Sequence, residues 1–110
     1  VDYRIEYYSE SVEEEVLALP DTLAARYVVL TRRMTAVGAN LGLPHTDSFG
    51  EGLFELRLKG ADGIARVFFC TLIGRRIMML HTFIKKSQKT PLRELEIARK
   101  RMKEVKNANP

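Results

Sequence analysis

Apolar positions recur with two different periods along this chain. Before residue 38 and after residue 90 they return every three or four residues, the helical spacing; between residues 53 and 84 they alternate or run together, as in strands. The chain opens on Tyr3–Tyr8 (YRIEYY), a short aromatic alternation that predicts a strand. Ser9 or Ser11 then stands as a helix N-cap, with Glu13, Glu14 and Glu15 in the first turn, where carboxylates complement the helix dipole. Ser11 and Glu14 have capping-box spacing. Val12, Val16 and Leu19 give this helix one apolar side, and Pro20-Asp21 ends it. A longer helix follows over Thr22–Val37, its stripe formed by Leu23, Tyr27, Leu30, Met34 and Val37, with Gly38 as the stop. The two helices predict a helical hairpin.

Residues 39–52 hold three glycines and a proline and read as a loop. Leu53–Lys59 (LFELRLK) then puts Phe54, Leu56 and Leu58 on one face and Glu55, Arg57 and Lys59 on a charged outer face. Gly60-Ala61-Asp62-Gly63 predicts a hairpin turn. Ile64–Leu72 is nearly all apolar, as in a central strand, with Arg66 its only charge. After the Gly74-Arg75 turn, Arg76–Ile84 makes a third strand, with His81 its only interior titratable group. Lys85–Thr90 is a basic connector, Thr90 the expected N-cap and Pro91 the first turn of a last helix. Leu92, Leu95, Ala98, Met102 and Val105 form its stripe, and residues 107–110 read as a frayed tail. The order is βααβββα, an α+β fold in which the helical hairpin packs on one face of an antiparallel sheet. No linker or repeat divides the chain, so residues 1–110 form one domain.

At 110 residues the chain can bury about two-thirds of its unfolded surface, enough for a core without crosslinks. A lone cysteine, Cys70, excludes a disulfide framework and reads as inert core. No apolar run approaches the roughly 18 residues of a membrane span. The acidic, alternating start does not read as a signal peptide, and the expected compartment is the cytoplasm. Charge changes the picture further. Residues 1–21 carry seven acids and one base, whereas residues 84–110 carry nine Lys and Arg against three Glu. Such a basic segment is either a solvated helix face or an attractor for polyanions.

The P-loop, dinucleotide, zinc-protease and serine-hydrolase signatures are absent, and His45 and His81 lack metal-ligand spacing. The candidates for chemistry are therefore cations. Arg66 on a central strand must find a carboxylate, a carbonyl or water. It serves either as half of an internal ion pair with Glu55 or Glu51, or as a phosphate ligand for which its planar fork is suited. His81 is either a hydrogen-bonded core histidine or part of a site. Alternation places Lys85, rather than Lys86, on the side of His81 and Phe83.

Three ordered segments carry a family resemblance. Gly52-Leu53-Phe54-Glu55-Leu56-Arg57 resembles the GLxELR strand of the RelE/HigB-like toxins, in their phage-derived, HigB-type branch. Arg66-Val67-Phe68-Phe69 is similar to that family's xRVxY/F strand, and Leu80–Pro91 to its LHxFxKKxxKTP segment. Glu94, Glu96, Ala98 and Arg101 sit as in its last helix. The match runs from about Leu43 to Val105.

The resemblance implies the toxin of a type II toxin–antitoxin pair: a ribosome-dependent endoribonuclease that cuts mRNA in the 30S A site without metal or cofactor. The implied partners are a helix-turn-helix antitoxin, the ribosome and mRNA, with no membrane. The implied reaction is attack of an RNA 2′-hydroxyl on the adjacent phosphorus. It needs a base, an acid and stabilisation of phosphate charge. On this reading Arg57 and Arg66 hold the scissile phosphate. Lys85 or Lys86 is base or acid, with His81 a second candidate, and Lys59, Lys89 and Arg93 grip the RNA backbone. Some relatives carry a substrate-stacking tyrosine near the C-terminus; the last tyrosine of this chain is Tyr27, so stacking would fall to Phe83 or another aromatic. Two other readings share the sequence: a ParE-like inhibitor of DNA gyrase, and a non-catalytic RNA-binding module.

Overall fold

The computed structural model describes residues 2–109, and its elements follow in the order β1 (Arg4–Tyr7), α1 (Glu10–Leu17), α2 (Asp21–Val37), β2 (Thr46–Ser48), β3 (Phe54–Gly60), β4 (Gly63–Leu72), β5 (Arg76–Ile84) and α3 (Leu92–Ala108). They form an α+β fold whose single five-stranded sheet has the order β1-β5-β4-β3-β2. The three apolar strands make the expected antiparallel meander, Arg57 opposite Arg66 and Arg66 opposite Phe83. β1 adds to β5 in parallel, Arg4 beside Arg76, which makes the sheet mixed. Pairing with a strand some seventy residues away leaves no local signal in the sequence.

Helices α1 and α2 cover one face. Val12, Val16, Leu23, Leu30 and Met34 pack there against Leu56, Leu58, Val67, Phe69, Ile77 and Met79. Ser9 is the cap of α1, its hydroxyl accepting from Val12 N at 3.2 Å. Helix α2 borrows its cap from the β3–β4 hairpin: Asp62 Oδ2 accepts from both the backbone N (3.0 Å) and the hydroxyl (2.7 Å) of Thr22. This contact brings Gly60 so close that a Cβ there would stand 2.7 Å from Thr22 Oγ1.

Helix α3 covers the other face, but only over its central part. Ala98, Met102 and Val105 meet Leu53, Phe68, Cys70, Met78 and Leu80. A β-bulge helps to shape this face. Phe68 pairs with His81 while Phe69 pairs with Met79, which leaves Leu80 as the extra residue of β5. The Leu80 carbonyl accepts from Arg101 Nη1 at 2.9 Å.

Several expectations are corrected. The stretch 39–52 is not all loop, because Thr46–Ser48 pairs with β3; three residues are too few to show a period. Val37 and Leu92 are exposed, lying past the ends of the surfaces their helices cover. Pro91 is itself the N-cap residue of α3, and Thr90 instead donates its hydroxyl to Glu55 Oε2 at 3.1 Å. Residues 107 and 108 are helical, and Asn109 closes the helix with its side-chain amide on the Val105 carbonyl; Pro110 lies outside the described residues. Glu55 is buried, not on a solvated face.

Candidate functional site

Strand alternation sends Glu55, Arg57 and Lys59 of β3, and Arg66 and Phe68 of β4, toward the α3 side of the sheet. Helix α3 shields Phe68 but not the end of the sheet where β3 and β4 approach their hairpin. Arg66 is 4 % exposed and Glu55 3 %. Arg66 Nε lies 3.2 Å from Glu55 Oε1, and Arg57 Nε lies 3.8 Å from the same oxygen. A single buried carboxylate therefore anchors two guanidinium groups. Arg66 Nη1 donates to the Ala65 carbonyl at 3.2 Å, while its buried Nε is not aimed well enough at Glu55 to form a hydrogen bond. Burial lowers the Arg66 pKa, and Glu55 opposes that shift.

Lys85 joins this pair from β5. Its backbone N donates to the Ile64 carbonyl at 2.8 Å, one step beyond the end of the strand. Burial lowers the ammonium pKa, and the positive charges of Arg66 and Arg57 act in the same direction against the pull of Glu55. Arg57, Arg66, Lys85, Lys86, Ser87 and Gln88 line one open cavity of about 480 Å³. A second cavity, of about 510 Å³, lies against the first across Arg57, Ile64 and Arg66. It is completed by Arg26 of α2, by Pro44 and His45 before β2, and by Lys59. Among the described residues, no carboxylate lines either cavity. Among the described residues, no group of three or more His, Cys, Asp or Glu could hold a metal ion.

The structure thus brings together Arg57, Arg66, Lys85 and Lys86, with Lys59 on the far side of Arg57. Lys89 and Arg93 are exposed, on the connector and the first turn of α3, and line neither cavity. His81 has turned to α3, its Nε2 3.0 Å from Glu94 Oε1 and its ring stacked on Phe83. Tyr8 is likewise engaged, its hydroxyl donating to Glu104 and its ring beneath Arg101. Arg26 and His45 have no signal in the sequence that would join them to the site, because they reach it from a helix and a loop by tertiary contact alone. Glu55 was legible as a partner for Arg66, but not as the common anchor of both arginines.

Residues 14–103 match the family model of the phage-derived Gp49-like proteins (DUF891). The chain belongs to this family. No curated protein matches it. The Gp49-like span begins within α1 and ends within α3, so it contains every residue of both cavities. Only β1 and the two ends of the chain fall outside it. No helix among the described residues is long and apolar enough to cross a membrane.

Proposed function

We propose that this Gp49-like protein is the toxin of a type II toxin–antitoxin module and acts as a metal-independent endoribonuclease on mRNA in the ribosomal A site. Toxin–antitoxin association of the family supports the first part. The resemblance of its strands to RelE/HigB-like toxins supports the second. The observation that carries the reading is the convergence of Arg57, Arg66 and Lys85 around the buried Glu55, at the end of the sheet that α3 leaves open.

Four cations in one cavity meet the demands of the reaction. The RNA 2′-oxygen forms a bond to phosphorus and the P–O5′ bond breaks, giving a 2′,3′-cyclic phosphate and a free 5′-hydroxyl. One proton leaves the 2′-hydroxyl and one is delivered to O5′. Arg57 and Arg66 offer planar donors to the phosphate as its charge grows. Lys85, with its pKa lowered, holds more of its amine neutral near neutral pH than a solvated lysine does, as a base requires. Lys86 on the same cavity wall is the candidate acid for the leaving oxygen. His81, held by Glu94, takes a supporting place beneath Phe83. The proposed partners are a helix-turn-helix antitoxin, the 30S A site and its mRNA.

The test is primer extension on a defined mRNA in reconstituted translation, with and without ribosomes. The wild type is expected to cut within codons only when ribosomes are present, and Arg66→Ala and Lys85→Ala are expected to cut far more weakly. Absence of cutting by the wild type would overturn the reading, and inhibition of DNA supercoiling would then put gyrase in its place.

A further inference from the structure

The reaction proposed above explains one cavity and leaves the other without a task. The second cavity is comparable in volume, about 510 Å³ against 480 Å³, and the two share Arg57, Ile64 and Arg66 as a common wall. Its remaining lining has a different chemistry from that around Lys85. Arg26 supplies a guanidinium from α2, Lys59 an exposed ammonium from β3, and Pro44-His45 two adjacent rings, one apolar and one aromatic. Burial and the nearby charges of Arg33 and Arg26 lower the His45 pKa, so its ring is neutral at neutral pH and suited to lie against a base. The loop is fixed to the site, since the His45 carbonyl accepts from Arg57 N at 2.8 Å. Any movement of this surface would therefore be felt at Arg57.

Cleavage inside an RNA strand requires a nucleotide on each side of the phosphate that reacts. Arg66 faces both cavities, is almost fully buried, and keeps its Nε without a hydrogen-bond partner among the described residues. A phosphate on the Arg57–Arg66 wall would leave one flanking nucleoside toward Lys85 and the other toward Arg26 and His45.

We infer that the Arg26–His45–Lys59 cavity is a nucleotide subsite: it takes the nucleoside on one side of the scissile phosphate, stacks its base on Pro44-His45, and pairs the next phosphate with Arg26. This rests on the endoribonuclease reading and makes the subsite the place where base preference beside the cut is set. Arg26 and His45 are positioning residues there, whereas Lys85 acts on the reacting atoms.

The experiment maps cleavage on an mRNA containing all sense codons, in reconstituted translation, for wild type, Arg26→Ala, His45→Ala and Lys85→Ala. Folding of each variant is checked by circular dichroism. Arg26→Ala is expected to raise KM by roughly tenfold, the loss of one charge-assisted contact, with kcat little changed. His45→Ala is expected to flatten the base preference at one nucleotide beside the cut, and His45→Phe to restore it, since a stacking face survives that change. Lys85→Ala is expected to lower kcat and leave the pattern of residual cuts unchanged. Wild-type efficiency and preference in both Arg26→Ala and His45→Ala would overturn the subsite while the nuclease stands. No cut by the wild type would overturn both.

Discussion

The two faces of the sheet are built from the same strands and have opposite characters. The α1/α2 face is predominantly apolar: Leu56, Leu58, Val67, Phe69, Ile77 and Met79 lie beneath two helices, with uncharged Thr46 and Thr82 the buried polar residues beside them in the sheet. The α3 face is apolar only under α3 and ends in Glu55, Arg57, Arg66 and Lys85. A strand's period of two makes the separation possible, because each residue of β3 serves one face without disturbing the other. Stability is thereby concentrated on one side, and the costly burial of charge is confined to a corner of the other. That corner is rigid because its anchor, Glu55, sits in an inner strand paired on both sides.

The contrast predicts its largest effect on stability at Phe69, fully buried between β3 and the helical hairpin. Phe69→Ala is expected to cost about 3–5 kcal/mol in urea unfolding. Arg57→Ala, on the opposite face and about one-third exposed, is expected to cost no more than about 1 kcal/mol. A Phe69→Ala loss as small as that of Arg57→Ala would break the division between the faces.

The buried ion pair gives the second test. Glu55→Ala leaves Arg66 buried without its counter-charge, and such a loss typically costs about 3–5 kcal/mol. Replacing both partners by apolar residues of similar size is often neutral or better. Glu55→Leu with Arg66→Met is therefore expected to unfold near the wild-type urea midpoint and to lack cleavage activity. That result would mean the pair is kept for its chemistry. A double variant as unstable as Glu55→Ala would assign the pair to the fold instead.

Lys85 sharpens the comparison from the functional side. Lys85→Ala is expected to lower cleavage by at least roughly a hundredfold, the usual contribution of a positioned proton-transfer group. Its half-exposed side chain adds little packing, so the urea midpoint should stay close to the wild type. Measured together, kcat and unfolding would separate the two roles in one variant.

These tests bear on the parts of the molecule that local sequence left open. The meander, both hairpin helices and α3 were legible because each carries its own period over seven or more residues, and the cations of β3 and β4 could be assigned to one face by parity. Four features required the folded chain. Strand β2 is too short to have a period, and β1 takes its parallel place beside β5 through a contact that skips most of the sequence. Glu55 read as a surface residue because alternation reveals a face but not what covers it. Arg26 and His45 reach the site from separate elements, so no spacing connects them.

The smallest effect is expected where the hairpin of β3 and β4 ties the site-bearing strands to the helices of the other face. Asp62 accepts two hydrogen bonds from Thr22, from the hydroxyl and the backbone N–H, and they hold its carboxyl below the ordinary value of 3.8. The folded chain therefore binds that proton less readily than the unfolded chain does. The stabilisation is complete above pH 3.8 and disappears as the pH falls through the lowered folded value. Asp62→Asn keeps the shape and removes the charge. Its Tm is expected to lie slightly below the wild type at pH 7, and the gap should close as the pH approaches 3. A gap that stays constant with pH would mean that the cap works through its geometry alone, and that charge contributes nothing to the join between the two faces.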